Sequence, residues 1–178
     1  MAPTLAPEDL VFVDESGVAT TLARAYGRAP GGQRAAGAVP YGRWERLTIL
    51  GGLSLGGLVA CMSVDGATDR AVMEAFTRHV LVPALRPGQV VILDNLSAHH
   101  APRVRQLIEA AGCTLLFLPP YSPDLNPIEP AWSKLKALLR GLGARTKEAL
   151  HAALSAVVDA ITAQDARSYF RHCGYPAR

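Results

Sequence analysis

Apolar and polar positions alternate along the chain in two distinct rhythms. Leu10 to Val13 is a short, β-branched apolar run closed by Asp14-Glu15-Ser16-Gly17, the pattern of a buried strand ending in a turn. Leu47–Leu55 and Leu58–Val64 flank Gly56-Gly57, and paired glycines between apolar runs predict an antiparallel hairpin because both can take positive φ. From Thr68, a candidate N-cap, Val72, Met73, Phe76 and Val80 recur at helical spacing until Pro83. Val90 to Leu93 then reads as a fully buried strand closed by Asp94-Asn95.

The second half continues the alternation of strand and helix. Pro102 suits the first position of a helix whose apolar stripe is Val104, Leu107, Ile108 and Ala111, stopped by Gly112. Thr114 to Leu118 is the next strand. The proline-rich stretch Pro119 to Pro127 cannot continue a sheet. It leads into a helix with Ile128, Ala131, Trp132, Leu135, Leu138 and Leu139 on one face and Glu129, Ser133, Lys136 and Arg140 on another. A last helix is expected after Thr146, with Leu150, Leu154, Val157, Val158 and Ile161 turned inward. This order predicts an α/β domain, a mixed sheet with an antiparallel hairpin and helices packed on both faces.

Composition narrows the class without naming a function. A chain of 178 residues with 49% hydrophobic content suits a single core. A net charge of +3 permits a polyanionic partner but does not identify one. Cys61, Cys113 and Cys173 are odd in number and far apart, so neither a disulfide framework nor a clustered zinc site is indicated, and a reducing cytoplasm is the natural reading. The most apolar run, Ile49 to Met62, is interrupted by four glycines and is shorter than the ~20 residues that cross a bilayer. No membrane partner and no secretory signal are expected. Residues 23 to 46 carry Arg24, Arg28, Arg34, Arg43 and Arg46 without periodicity and read as a basic loop.

Two aspartates now stand at strand ends. Sites in open α/β sheets form at the carboxyl ends of strands, so Asp14 and Asp94 converge if their strands are parallel neighbours. With a third acid they would match the all-oxygen ligand set of Mg²⁺ or Mn²⁺, and two such ions stabilise the attacking and leaving oxygens of phosphodiester exchange. Structural explanations stand beside this one. An Asp after a strand commonly starts a turn, and Asn126-Pro127-Ile128-Glu129 has the spacing of a capping box. His99 and His100 lack a nearby Cys or His partner, which argues against zinc. Trp132 lies in the apolar stripe as a core residue. Lys134, Lys136, Arg140, Arg145 and Lys147 either follow a phosphate backbone or form a solvated helix face.

Phe12-Val13-Asp14-Glu15-Ser16-Gly17, Ile92-Leu93-Asp94-Asn95 with His99, and Pro119 through Glu129 together resemble bacterial insertion-sequence transposases of the mariner superfamily, whose catalytic domain is a DDE endonuclease. Asp94 and Glu129 are separated by 34 residues, an interval that is similar to the family's. Tyr26-Gly27-Arg28-Ala29-Pro30 with Gly32, and the Cys173-Gly174-Tyr175 ending, extend the likeness over nearly the whole chain.

The resemblance implies a ribonuclease-H-like fold in which Asp14, Asp94 and Glu129 are both the catalytic residues and the ligands of two Mg²⁺ or Mn²⁺ ions. Water-driven strand cleavage would be followed by attack of the freed hydroxyl on target DNA, at a TA dinucleotide. It further implies double-stranded DNA as partner, touched by Arg28, His99, Lys136 and Arg140, a homodimer on paired DNA ends, and a nucleoid-associated place in the bacterial cytoplasm. Two departures from the pattern stand out. The first catalytic strand begins within about a dozen residues, so residues 1–178 are expected to form one catalytic domain without an N-terminal helix-turn-helix. That DNA-reading module is then expected in an upstream reading frame or a separate partner. Pro130 follows Glu129, where its missing amide is expected to weaken the first helical turn. The competing readings are a non-catalytic DNA-binding or assembly remnant of a decayed element, and a structure-specific nuclease that cleaves without joining.

Overall fold

The computed structural model describes residues 5–24, 26–41, 44–94 and 101–177. Five strands, β1 (Leu10–Ala19), β2 (Arg46–Ser54), β3 (Gly57–Asp65), β4 (Val90–Leu93) and β5 (Thr114–Phe117), form one sheet in the order β3-β2-β1-β4-β5. The hairpin side is antiparallel, whereas β1, β4 and β5 run parallel. The helices are α1 (Arg70–Phe76), α2 (Val82–Ala84), α3 (Pro102–Ala110), α4 (Ile128–Leu142), α5 (Lys147–Val157) and α6 (Ala163–His172).

The period-two alternation of the strands divides the core in two. Leu10, Phe12, Val90 and Ile92 join Ile128, Trp132, Leu135, Leu150, Leu154 and Phe170 from α4, α5 and α6. Val11, Val13, Val91 and Leu93 join Met73, Phe76, Val104 and Ile108 from α1 and α3. The predicted α/β architecture with helices on both faces is therefore present. The same alternation has a consequence for chemistry: the residues after Phe12 and Ile92 on the α4 side are Asp14 and Asp94.

Several local expectations are corrected. β1 does not stop before Asp14 but continues to Ala19, because β2 keeps pairing with it as far as Ala19↔Arg46 after β4 has ended. The hairpin turns at Leu55-Gly56, and Gly57 already lies in β3 with a φ of 111°. The N-cap of α1 is Asp69, whose carboxylate accepts from the Val72 amide at 2.9 Å, and not Thr68. Pro83 does not stop the helical segment, since a π-helical stretch, Thr77–Leu81, shifts the register and places the proline in the first turn of α2. The expected last helix is α5, which closes in a short 3-10 turn, Val158–Ala160, and α6 follows it as a further helix that the periodicity did not predict. Thr162 and Asp165 form a reciprocal capping box that starts α6 afresh.

α6 and the tail brace the site. Lys134 on α4 meets Asp165 at 2.7 Å, and the Phe12 ring packs edge-on against Phe170 and tilted against Tyr175. The Tyr175 hydroxyl donates to the Leu125 carbonyl at 2.8 Å, tying the tail to the proline-rich loop. The three cysteines are unbonded, and among the described residues no helix is long and apolar enough to cross a membrane.

Thr162→Ala removes the cap and is expected to cost about 1 kcal/mol, lowering the melting temperature by roughly 2–4 °C in a calorimetric scan. An unchanged melt would show that α6 is held by packing alone.

Candidate active site

The parallel register of β1 and β4 ends at Val13↔Leu93, so the next residues, Asp14 and Asp94, leave adjacent strands on the same face. Asp14 is buried at 7% exposure, and Asp94 is half-buried. Glu129 is the second residue of α4 and is exposed. All three line one cleft of about 450 Å³, whose other wall is formed by residues 118–123 and Asn126. The three predicted acids thus border the same cleft.

A buried tryptophan contacts one of these acids. Trp132 Nε1 donates to Asp14 Oδ2 at 3.1 Å, a buried hydrogen bond between α4 and β1. The residue facing Asp14 across the β1–β2 ladder is Gly51. A Cβ at Gly51 would lie 2.5 Å from the Trp132 ring, so only glycine leaves room for the indole there. Trp132 is core, as its place in the apolar stripe predicts, but its polar edge serves the cleft. The stripe carries no signal of this second role. The pairing of a buried Trp with a buried Asp becomes legible only once the register is known.

Burial pushes the Asp14 carboxyl up to about 7 from an ordinary value of 3.8. The Glu15 amide pulls it down, the charges of Glu129 and Asp94 add to the rise, and the Trp132 hydrogen bond lowers it. An all-oxygen set around a buried, charge-penalised carboxylate is what a divalent cation relieves, so the residues fit Mg²⁺ or Mn²⁺. Among the described residues, however, no three His, Cys, Asp or Glu stand close enough to form a ready-made metal cluster.

The capping-box explanation of Glu129 does not hold. The N-cap of α4 is Pro127, without a side-chain cap, and Glu129 lies one position before the capping-box site. Pro130 falls within the first turn, where backbone amides have no intrahelical partner, so its missing amide removes no helix bond. Asn126, 4% exposed, is instead buried beside the cleft with Oδ1 lacking any hydrogen-bond partner. Tyr121, at the rim, holds a φ of 55° and is fully exposed. Sequence reading missed both as cleft residues.

The basic residues separate into two groups. Lys134 pairs with Asp165, Lys147 pairs with Asp65 at 3.0 Å, and Arg145 donates to the Thr20 and Leu22 carbonyls. These three support the fold. Lys136 and Arg140 have no acidic partner among the described residues. Arg140 lines a second groove with Arg24, Tyr26 and Arg145. Arg28 is exposed in the loop before β2, while His99 and Arg43 lie outside the described residues.

Comparison with known proteins gives a consistent result. The sequence model of the family described as DDE superfamily endonuclease matches residues 9–151. Two Caenorhabditis briggsae proteins are similar over part of the chain. The Tcb2 transposase is 31% identical over 85 residues, covering 46% of this chain and 31% of its own length. The Tcb1 transposase is 32% identical over 97 residues, covering 52% and 36%. The chain thus spans about a third of the length of these relatives. Among solved structures, the Mos1 mariner paired-end complex with Mn superposes with a TM-score of 0.74 at 18% identity, covering 94% of this chain and 52% of that one. The Mos1 catalytic domain alone superposes with a TM-score of 0.60 at 17% identity, covering 94% and 76%. The fold is the ribonuclease-H-like one that the sequence implied.

The raised Asp14 value carries a sign for stability. The folded state keeps this proton to about pH 7, whereas the unfolded chain releases it near 3.8. The folded state binds more protons across that window, so stability falls as pH rises through it, by roughly a few kcal/mol in total. Without divalent ions, Asp14→Asn is expected to melt above the parent at pH 8, with the gap closing towards pH 4. Mg²⁺ should raise the parent at pH 8 and do less for the variant. Equal melting of the two proteins at pH 8 in EDTA would contradict this account.

Proposed function

Since the chain belongs to the DDE superfamily endonuclease family, we propose that it is the catalytic domain of a mariner-type transposase, cutting double-stranded DNA at the ends of an insertion sequence and joining them to a target. The observation that carries this reading is the convergence of Asp14, Asp94 and Glu129 on one cleft from the α4 face of a parallel strand pair.

Two Mg²⁺ or Mn²⁺ ions held by these acids would supply the positive charge that stabilises both the attacking and the leaving oxygen of phosphodiester exchange. Asp14 forms the buried floor, fixed by Trp132. Glu129 sits in the first turn of α4, at the positive end of the helix dipole. In the first step a water oxygen bonds to phosphorus, the bond from phosphorus to the 3′ oxygen breaks, and the water proton ends on that oxygen. In the second, the freed 3′ hydroxyl attacks a target phosphodiester and its proton passes to the departing 3′ oxygen. One phosphodiester is exchanged for another, so joining needs no further reactant.

DNA would follow the polar face of α4. Glu129, Ser133, Lys136 and Arg140 recur at helical spacing, a stripe of roughly 16 Å that leads from the cleft to the Arg140 groove. Arg28 and His99 complete the proposed DNA contacts. The likeness to mariner proteins further suggests a TA target, a homodimer on paired ends, a nucleoid-associated cytoplasmic location, and end recognition by a helix-turn-helix region.

Nicking of supercoiled plasmid by the purified chain in Mg²⁺ or Mn²⁺ tests the chemistry. Activity should vanish in EDTA and fall by about 10²-fold or more in Asp94→Asn and in Glu129→Gln. Equal activity in parent and variants would favour the non-catalytic remnant, and cleavage without joined products would favour a nuclease. Lys136→Ala and Arg140→Ala are each expected to weaken duplex binding alike for all sequences and to reduce the log–log salt slope by about 0.9 in an anisotropy titration. An unchanged slope would remove these two residues from the DNA path.

A further inference from the structure

Trp132 is 1% exposed and fills the core between α4 and the sheet. A phenylalanine or leucine would fill such a place with no donor to satisfy. A buried indole N–H needs an acceptor, and the one used here is the carboxylate of an acid in the cleft rather than a backbone carbonyl. The cavity that admits the indole is made by Gly51, the cross-strand neighbour of Asp14 itself. The placement therefore ties Asp14, its neighbour in the sheet and the helix bearing Glu129 into one joint.

We propose that Trp132 is a positioning residue of the active site, whose indole N–H sets the orientation of the Asp14 carboxylate while its ring sets the distance of α4, and hence of Glu129, from the sheet. This rests on the reading of Asp14 as a divalent-ion ligand. A carboxylate has about four lone-pair directions. The Glu15 amide and the Trp132 indole take two of them, which leaves the remainder for the cleft. Glu129 stands three residues before Trp132, a neighbour on the helix surface, so the ring anchors the turn that carries the third acid. Partners that orient a metal-binding group in this way typically contribute 10- to 100-fold to metal affinity.

The test separates the ring from its N–H. Trp132 is replaced by β-(3-benzothienyl)alanine, which keeps the bicyclic shape but carries sulfur where the N–H was. Trp132→Phe serves as a smaller second variant. Binding of Mn²⁺ alone is followed by the loss of the free-ion signal in electron paramagnetic resonance, and folding by the cooperative melt. The benzothienyl protein is expected to melt cooperatively while binding Mn²⁺ about tenfold more weakly than the parent, with the phenylalanine variant at least as weak. Undiminished Mn²⁺ affinity in the folded benzothienyl protein would overturn the positioning role and leave the metal site standing. A parent whose Mn²⁺ binding is absent, or survives Asp14→Asn with Asp94→Asn, would overturn the metal reading and the proposal with it.

Discussion

The hydrogen bond between Trp132 and Asp14 joins the two halves of the structure. On one side of it lies a sheet whose central parallel pair delivers two aspartates to the same face. On the other lies the helix that delivers the glutamate. Without a specific contact between α4 and β1, apolar packing alone would allow α4 to settle at a range of depths, because burial is non-directional. A donor of fixed direction and a glycine of fixed position reduce that range.

The surroundings of this joint bear costs that the rest of the fold offsets. Asp14 is held where its charge is penalised, Asn126 keeps an unpartnered buried oxygen, and Tyr121 adopts a backbone angle that non-glycine residues seldom take. All three border one cleft. The stabilising features lie away from it, in the two-sided core, the Lys134–Asp165 tether and the brace from Tyr175 to Leu125. Destabilised groups gathered around a cleft, with a well-packed scaffold behind them, are the expected signature of a functional site.

Most of this architecture is legible in the sequence. Strong periodicity placed β4, α3 and α4, and the turn glycines marked the hairpin, because these signals are local. The errors arise where a distant contact overrides a local one. Asp14 looked like the start of a turn until pairing with β2 carried the strand past it. Asn126 and Glu129 had the spacing of a cap, but Asn126 is buried beside the cleft and α4 begins at Ile128. A Thr162–Asp165 box starts α6, a further helix where only a tail was expected. The bond from Trp132 to Asp14 spans 118 residues and has no local signature.

The central claim is that Asp14, Asp94 and Glu129 hold divalent ions together. Anomalous scattering at the manganese edge from Mn²⁺-soaked crystals tests it most directly. Anomalous peaks are expected between Asp14 and Asp94, with oxygen distances of roughly 2 Å, and with Glu129 drawn in to share an ion. Peaks confined to other sites, or none near Asp14 at saturating Mn²⁺, would contradict it.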